Sequence, residues 1–259
     1  MHSRFTLGLL MVAIAMSVGT AFADSSCLNV LSGPTNLATL SADSNNCLVI
    51  GDKEFFNFQF IPDANNPGAV SAAGISVTTV GDGTVNNLYG IDFASQLGNL
   101  NNLNGDGTLS LDYDIKYSVQ ATGGYLVSDI HQLINGSGIN YPGGPLNPDS
   151  GITVSEVAVD HAGSGSTANS TVTLNPNVLQ EPPAQGNDLL ILNVNGVPTP
   201  VVRADITKDV RIDAGAGDKV TLSLIEQRFS QVPEPRTYAL MLGVGLAALL
   251  WKKRATAAA

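Results

Sequence analysis

The chain has 259 residues, of which 44% are hydrophobic and 13% charged, with 22 acidic side chains against 12 basic and a formal net charge of −10. That length is enough for one sizeable core, and the acidic balance excludes nucleic acid and anionic lipid as partners of the folded body, since both are bound by clustered Lys and Arg. Solubility, divalent cations or a cationic partner are compatible with it.

At the start, Arg4 supplies a positive region, Leu7 to Val18 an apolar stretch and Ala21-Phe22-Ala23 a small-residue site. This pattern predicts a secretory signal peptide over residues 1–23, cut by signal peptidase between Ala23 and Asp24. No twin arginine precedes it, which points to the general secretion route. Cys27 and Cys47 are the two cysteines of the chain. An even count in an exported protein predicts a disulfide that staples the N-terminal segment of the mature body.

Alternation of apolar and polar residues dominates the middle of the chain, and it predicts strands. The longest case places Leu109, Leu111, Tyr113, Ile115, Tyr117 and Val119 on one face, with Ser110, Asp112, Asp114, Lys116, Ser118 and Gln120 on the other. Shorter runs are Phe56-Phe58-Phe60, Ile75-Val77-Thr79, Ile152-Val154 continued by Val157-Val159 after a bulge, Val172-Leu174, Leu190-Leu192-Val194, a broken Ile206-Val210-Ile212, and Val220-Leu222-Leu224. Turn formers such as Gly123-Gly124, Pro142-Gly143-Gly144 and Gly215-Ala216-Gly217 separate them. Leu126 to Ile134 fits a short helix or a strand. Residues 136–151 and 181–187 read as surface loops. The expectation is an all-β, antiparallel β-sandwich or jelly-roll-like body over residues 24–231, with helices confined to the two terminal signals.

Chemistry is sparsely signposted in this body. His131 and His161 are its histidines, and Asp160-His161 followed by Ser164 are sequence neighbours, which is not how hydrolytic triads assemble. Asp is plentiful, but no two carboxylates stand out as a glycosidase pair. Asn102, Asn104 and Asp106 occupy the first, third and fifth positions of a calcium-type loop with Gly at the sixth, but Tyr113 stands where a closing Glu belongs, so any calcium bound there is weak. A hairpin turn built on Asn-Gly and Asp-Gly accounts for the same residues. The expectation is therefore no cofactor beyond that weak calcium. The body lacks Trp, and Tyr89, Tyr125 and Tyr141 are the aromatic candidates for stacking on a sugar.

At the other end, Val232-Pro233-Glu234-Pro235 precedes an almost wholly apolar stretch, Tyr238 to Trp251, and then Lys252, Lys253 and Arg254. As a single transmembrane helix this stretch rises only ~21 Å against a ~30 Å hydrocarbon core, so it spans marginally, with the flanking basic residues on the cytoplasmic side. The order of motif, apolar stretch and basic cluster over residues 232–259 resembles the PEP-CTERM sorting domain. That resemblance implies recognition of Pro233, Glu234 and Pro235 by an exosortase, cleavage near the motif, and a Gram-negative bacterium that makes exopolysaccharide. The basic residues of the two signals conceal how acidic the body is: residues 24–232 carry 21 acidic and seven basic side chains, a net of −14. Taken together, the expectation is a non-enzymatic exported surface or extracellular-matrix protein, anchored in the membrane transiently before processing. A carbohydrate-binding module or adhesin is the alternative, and a hydrolase acting on exopolysaccharide a second one.

Overall fold

The apolar runs fold into strands wherever one face can be buried. In chain order these are β1 (Asn29–Val30), β2 (Thr35–Asn36), β3 (Asn46–Ile50), β4 (Lys53–Pro62), β5 (Ile75–Val80), β6 (Tyr89–Ser95), β7 (Asn99–Asn101) and β8 (Leu109–Ala121). After them come β9 (Tyr125–Asn140), β10 (Gly151–Asp160), β11 (Thr167–Leu174), β12 (Ala184–Ile191), β13 (Asn193–Val194), β14 (Val197–Pro198), β15 (Arg203–Ala214) and β16 (Asp218–Pro233). Among the described residues two short helices, α1 (Leu37–Ser41) and α2 (Pro176–Leu179), interrupt them. The computed structural model describes residues 27–64, 69–81, 88–141, 143–179 and 184–233. The predicted signal peptide with its expected Ala23–Asp24 cleavage point, Glu234, Pro235, the apolar stretch and Lys252, Lys253 and Arg254 lie outside the described residues. Among the described residues no helix is long and apolar enough to cross a membrane.

Two sheets form a sandwich. One runs β1-β3-β4-β8-β15-β10-β11-β13-β14; the other runs β12-β9-β16-β6-β5-β2, with β7 also on β16. In the first sheet β3, β4, β8, β15, β10 and β11 pair antiparallel in turn, whereas β1 runs parallel to β3. The Cys27–Cys47 disulfide closes beside that parallel pair, so the expected staple ties the start of the body to an edge of the first sheet.

β8 carries the alternation that the sequence displays. Leu111, Tyr113, Ile115, Tyr117 and Val119 point into the sandwich and are buried. They meet aromatic side chains from both sheets: Tyr117 stacks on Phe58 at 5.6 Å and packs against Phe93 at 5.8 Å, while Phe55 meets Phe229 at 5.6 Å. Such tilted and offset pairs add to the apolar burial that drives the sheets together.

β4 departs from the predicted Phe56-Phe58-Phe60 face. Its pairing with β8 shifts between Phe56 and Gln59, where Asn57 adopts φ 57°. This bulge puts Phe55 and Phe58 into the core and Phe56 on the sheet's other face, where it stays fully buried beneath the Arg203 guanidinium 4.7 Å from the ring centroid. β9 is a strand, and it continues through Gly136 and Gly138 to Asn140, so the segment expected as a loop from residue 136 begins only after the strand ends. A Cβ at Gly136 would collide with Ile152 Cδ1; the glycine allows the facing strand to approach.

The largest departure lies in β10. No bulge follows Val154: the register with β11 and β15 is continuous, so Glu156 faces inward and Val157 and Val159 face solvent, 42% and 41% exposed. A carboxylate is tolerated there because Lys208 stands directly opposite on β15 and is also fully buried. Lys208 is likewise what breaks the Ile206-Val210-Ile212 run. Its Nζ donates to Glu156 Oε2 and, at 2.8 Å, to Gln132 Oε1 of the facing sheet. Gln227 Nε2 donates to Glu156 Oε1 at 3.1 Å, which completes a polar bridge between the sheets.

Candidate functional site

The outer face of the second sheet is built from the side chains that the core does not use. On β16, Ile225, Gln227 and Phe229 are buried, so Glu226 and Arg228 point outward. Across β6 they face Asp92 and Gly90; on the other side β9 presents His131 and Leu133, and Leu189 of β12 lies opposite His131. Leu88, His131, Gln132, Leu133, Leu189, Glu226 and Arg228 together line an open depression of about 480 Å³. Gly90 is required beneath it, since a Cβ there would collide with Gln227 O on the neighbouring strand.

Charges in the depression hold one another in place. Arg228 Nε donates to Glu226 Oε1. His131 Nε2 lies 3.1 Å from Asp129 Oδ1, and Ser230 Oγ donates to the same oxygen. Asp92 stands behind Glu226, away from the lining. Burial first, then the neighbouring Glu226 charge, push its carboxyl up to about 6, while Arg228 pulls the other way. Its Oδ1 has no hydrogen-bond partner. The leucine walls suit an apolar face of a ligand, and Arg228, Glu226 and His131 suit its hydroxyls. Only Glu226 of the two neighbouring carboxylates reaches the depression, so they do not face each other across a cleft as an acid and base flanking a scissile bond do.

The residues singled out in the sequence lie elsewhere. Asn102 is 4% exposed, and its Nδ2 donates to Gly107 O and to Ala214 O at 2.9 Å, tying the loop to the end of β15. Asn104 and Asp106 are exposed on that loop. Among the described residues no group of three or more His, Cys, Asp and Glu is placed to hold a metal ion. Asp160 accepts from Ala162 N and Ser164 N and so organises its own loop. His161 Nδ1 instead meets Asp205 Oδ2 at 2.7 Å, and Ser118 Oγ donates to Asp205 Oδ1 at 2.6 Å. The carboxylate stands between the hydroxyl and the imidazole, the reverse of the order in which His activates Ser. Tyr89 rests on Gly51, Tyr125 packs against the core and Tyr141 is 70% exposed; none of the three lines the depression. Pro233 is the last residue of β16.

No family model and no curated protein matches this chain. Among the solved structures that resemble it remotely are the two that follow. The module TmCBM61, solved in complex with β-1,4-galactotriose, is 12% identical over 68% of this chain and 88% of its own, with a TM-score of 0.29. The enzymatically active domain of bacteriophage CBA120 tailspike protein 4 is 10% identical over 65% of this chain, with a TM-score of 0.24, and this chain spans only 19% of its length.

Proposed function

We propose that this chain is an exported, non-enzymatic surface or matrix protein whose body binds a glycan in the depression of the second sheet. The observation that carries the binding half is that depression: leucine walls, with Arg228, Glu226 and His131 converging on a space open to an extended polymer. The export half rests on the sequence of the two ends. The Pro233-Glu234-Pro235 tail directs the precursor to an exosortase in the inner membrane, which cleaves near the motif and leaves the acidic body at the cell surface or in the surrounding polymer. A glycan array on the purified body tests the first half, and no binding to any polysaccharide would end it. Export fails as a reading if cells with an intact exosortase retain the full-length, membrane-bound chain.

A second reading, hydrolysis of exopolysaccharide, is favoured by the neighbouring carboxylates Asp92 and Glu226, with the pKa of Asp92 raised to about 6. Release of reducing ends from isolated polymer would decide for it. The position of Asp92 behind Glu226 favours binding without cleavage.

A further inference from the structure

The polar bridge in the core contains the parts of a reaction. Lys208 and Glu156 are both fully buried and stand opposite each other on β15 and β10, where an ion pair recovers little of what its dehydration costs. Facing them is the carboxamide of Gln132, fixed at both ends: its Nε2 donates to Val154 O at 3.2 Å and its Oε1 accepts from Lys208 Nζ at 2.8 Å. Gln227 Nε2 holds the far oxygen of Glu156 at 3.1 Å. An amine, a carboxylate and an amide carbonyl are thus immobilised at contact distance away from water, the arrangement that makes an otherwise slow acyl transfer effectively unimolecular.

The geometry points to an autocatalytic isopeptide cross-link between Lys208 and Gln132 that joins the two sheets covalently, with Glu156 as the proton carrier. Burial disfavours the ammonium form of Lys208, against the opposing attraction of Glu156, so a neutral nucleophile is accessible. Lys208 passes one proton to Glu156. The Nζ lone pair then attacks Cδ of Gln132, and the carbonyl oxygen takes the negative charge of a tetrahedral intermediate. Glu156 delivers its proton to the departing amide nitrogen and receives one from Nζ as the C–N bond to that nitrogen breaks and ammonia leaves. The product is a secondary amide from Nζ to Cδ, a molecule of ammonia and a protonated Glu156. No oxidant or cofactor enters, and the buried ion pair is replaced by neutral groups.

Peptide mapping of the full chain, purified from cells that export it, tests this. The expected result is a branched tryptic product containing Gln132 and Lys208, lighter than its two parts by one ammonia, resistant to reduction of the disulfide, and uncut at Lys208. Lys208→Met and Glu156→Gln should each restore separate peptides of unmodified mass. Separate, unmodified peptides from the wild-type chain would overturn the proposal, and so would a loss of water, which would join Lys208 to Glu156 instead. If either variant fails to fold, the wild-type map decides alone.

Discussion

Replacing Asp92 by Asn should stabilise the body at neutral and alkaline pH and leave it almost unchanged in acid. The carboxyl sits half-buried beside Glu226 with an unpartnered Oδ1, and its pKa rises from the ordinary 3.8 to about 6. A folded-state pKa above the unfolded one means that the native state holds the proton more tightly, so stability falls as pH rises through this window. For a buried group the difference amounts to about 3 kcal/mol. Solvent screening of a half-exposed carboxylate reduces it to about 1–1.5 kcal/mol. The amide removes that penalty without changing the shape, so thermal unfolding at pH 8 should show Asp92→Asn melting about 2–6 °C above the wild type. At pH 3.5 both forms carry a neutral side chain and should melt together. An equal shift at both pH values, or destabilisation at pH 8, would mean that Asp92 acts through shape or a hydrogen bond and not through its charge.

Reducing the Cys27–Cys47 disulfide, which spans 20 residues, should cost about 3 kcal/mol in the chain-entropy estimate, read as a lower melting temperature in reductant. Asn102→Ala should cost about 2 kcal/mol by leaving Gly107 O and Ala214 O without their donor, seen in urea unfolding; calcium calorimetry on the wild-type body tests the weak site of Asn102, Asn104 and Asp106, and an absence of heat would remove it. Burial raises the carboxyl of Asp205, but hydrogen bonds from Ser118 and His161 and the charge of Arg203 outweigh it and hold the pKa below the usual range. Its contribution is therefore present above about pH 4 and lost as pH falls through the depressed value. Asp205→Asn should cost under about 1 kcal/mol at pH 7 and nothing in strong acid, measured by melting curves across pH.

The strands that the sequence displays most clearly are those whose inward residues are all apolar, β8 above all. β10 and β15 are harder to read because Glu156 and Lys208 each interrupt an apolar face. Each is explained only by the other, and which strands pair is not written in either segment alone. β9 is obscured by Gly136 and Gly138, residues that usually mark loops and here make room for Ile152 and Leu146. The Phe56 face is displaced by one bulge at Asn57, which no turn signal announces. The depression is illegible for a related reason. Glu226 and Arg228 lie just beyond the Val220-Leu222-Leu224 run, and they become a site only when β16 pairs with β6 and is flanked by β9, strands far apart in the chain. The alternation of Ile225, Gln227 and Phe229 with Glu226 and Arg228 is a signal for it, masked by Gln227, a polar residue turned inward to meet Glu156.

Whether the depression on the second sheet binds a glycan is the point on which the proposed function rests. Calorimetric titration of the body with extracellular polysaccharide fragments, for the wild type and for Arg228→Ala, addresses that most directly. Saturable binding to the wild type, at least tenfold weaker in the variant and without release of reducing ends, is the expected result. No binding, or equal binding by a folded Arg228→Ala protein, would contradict it.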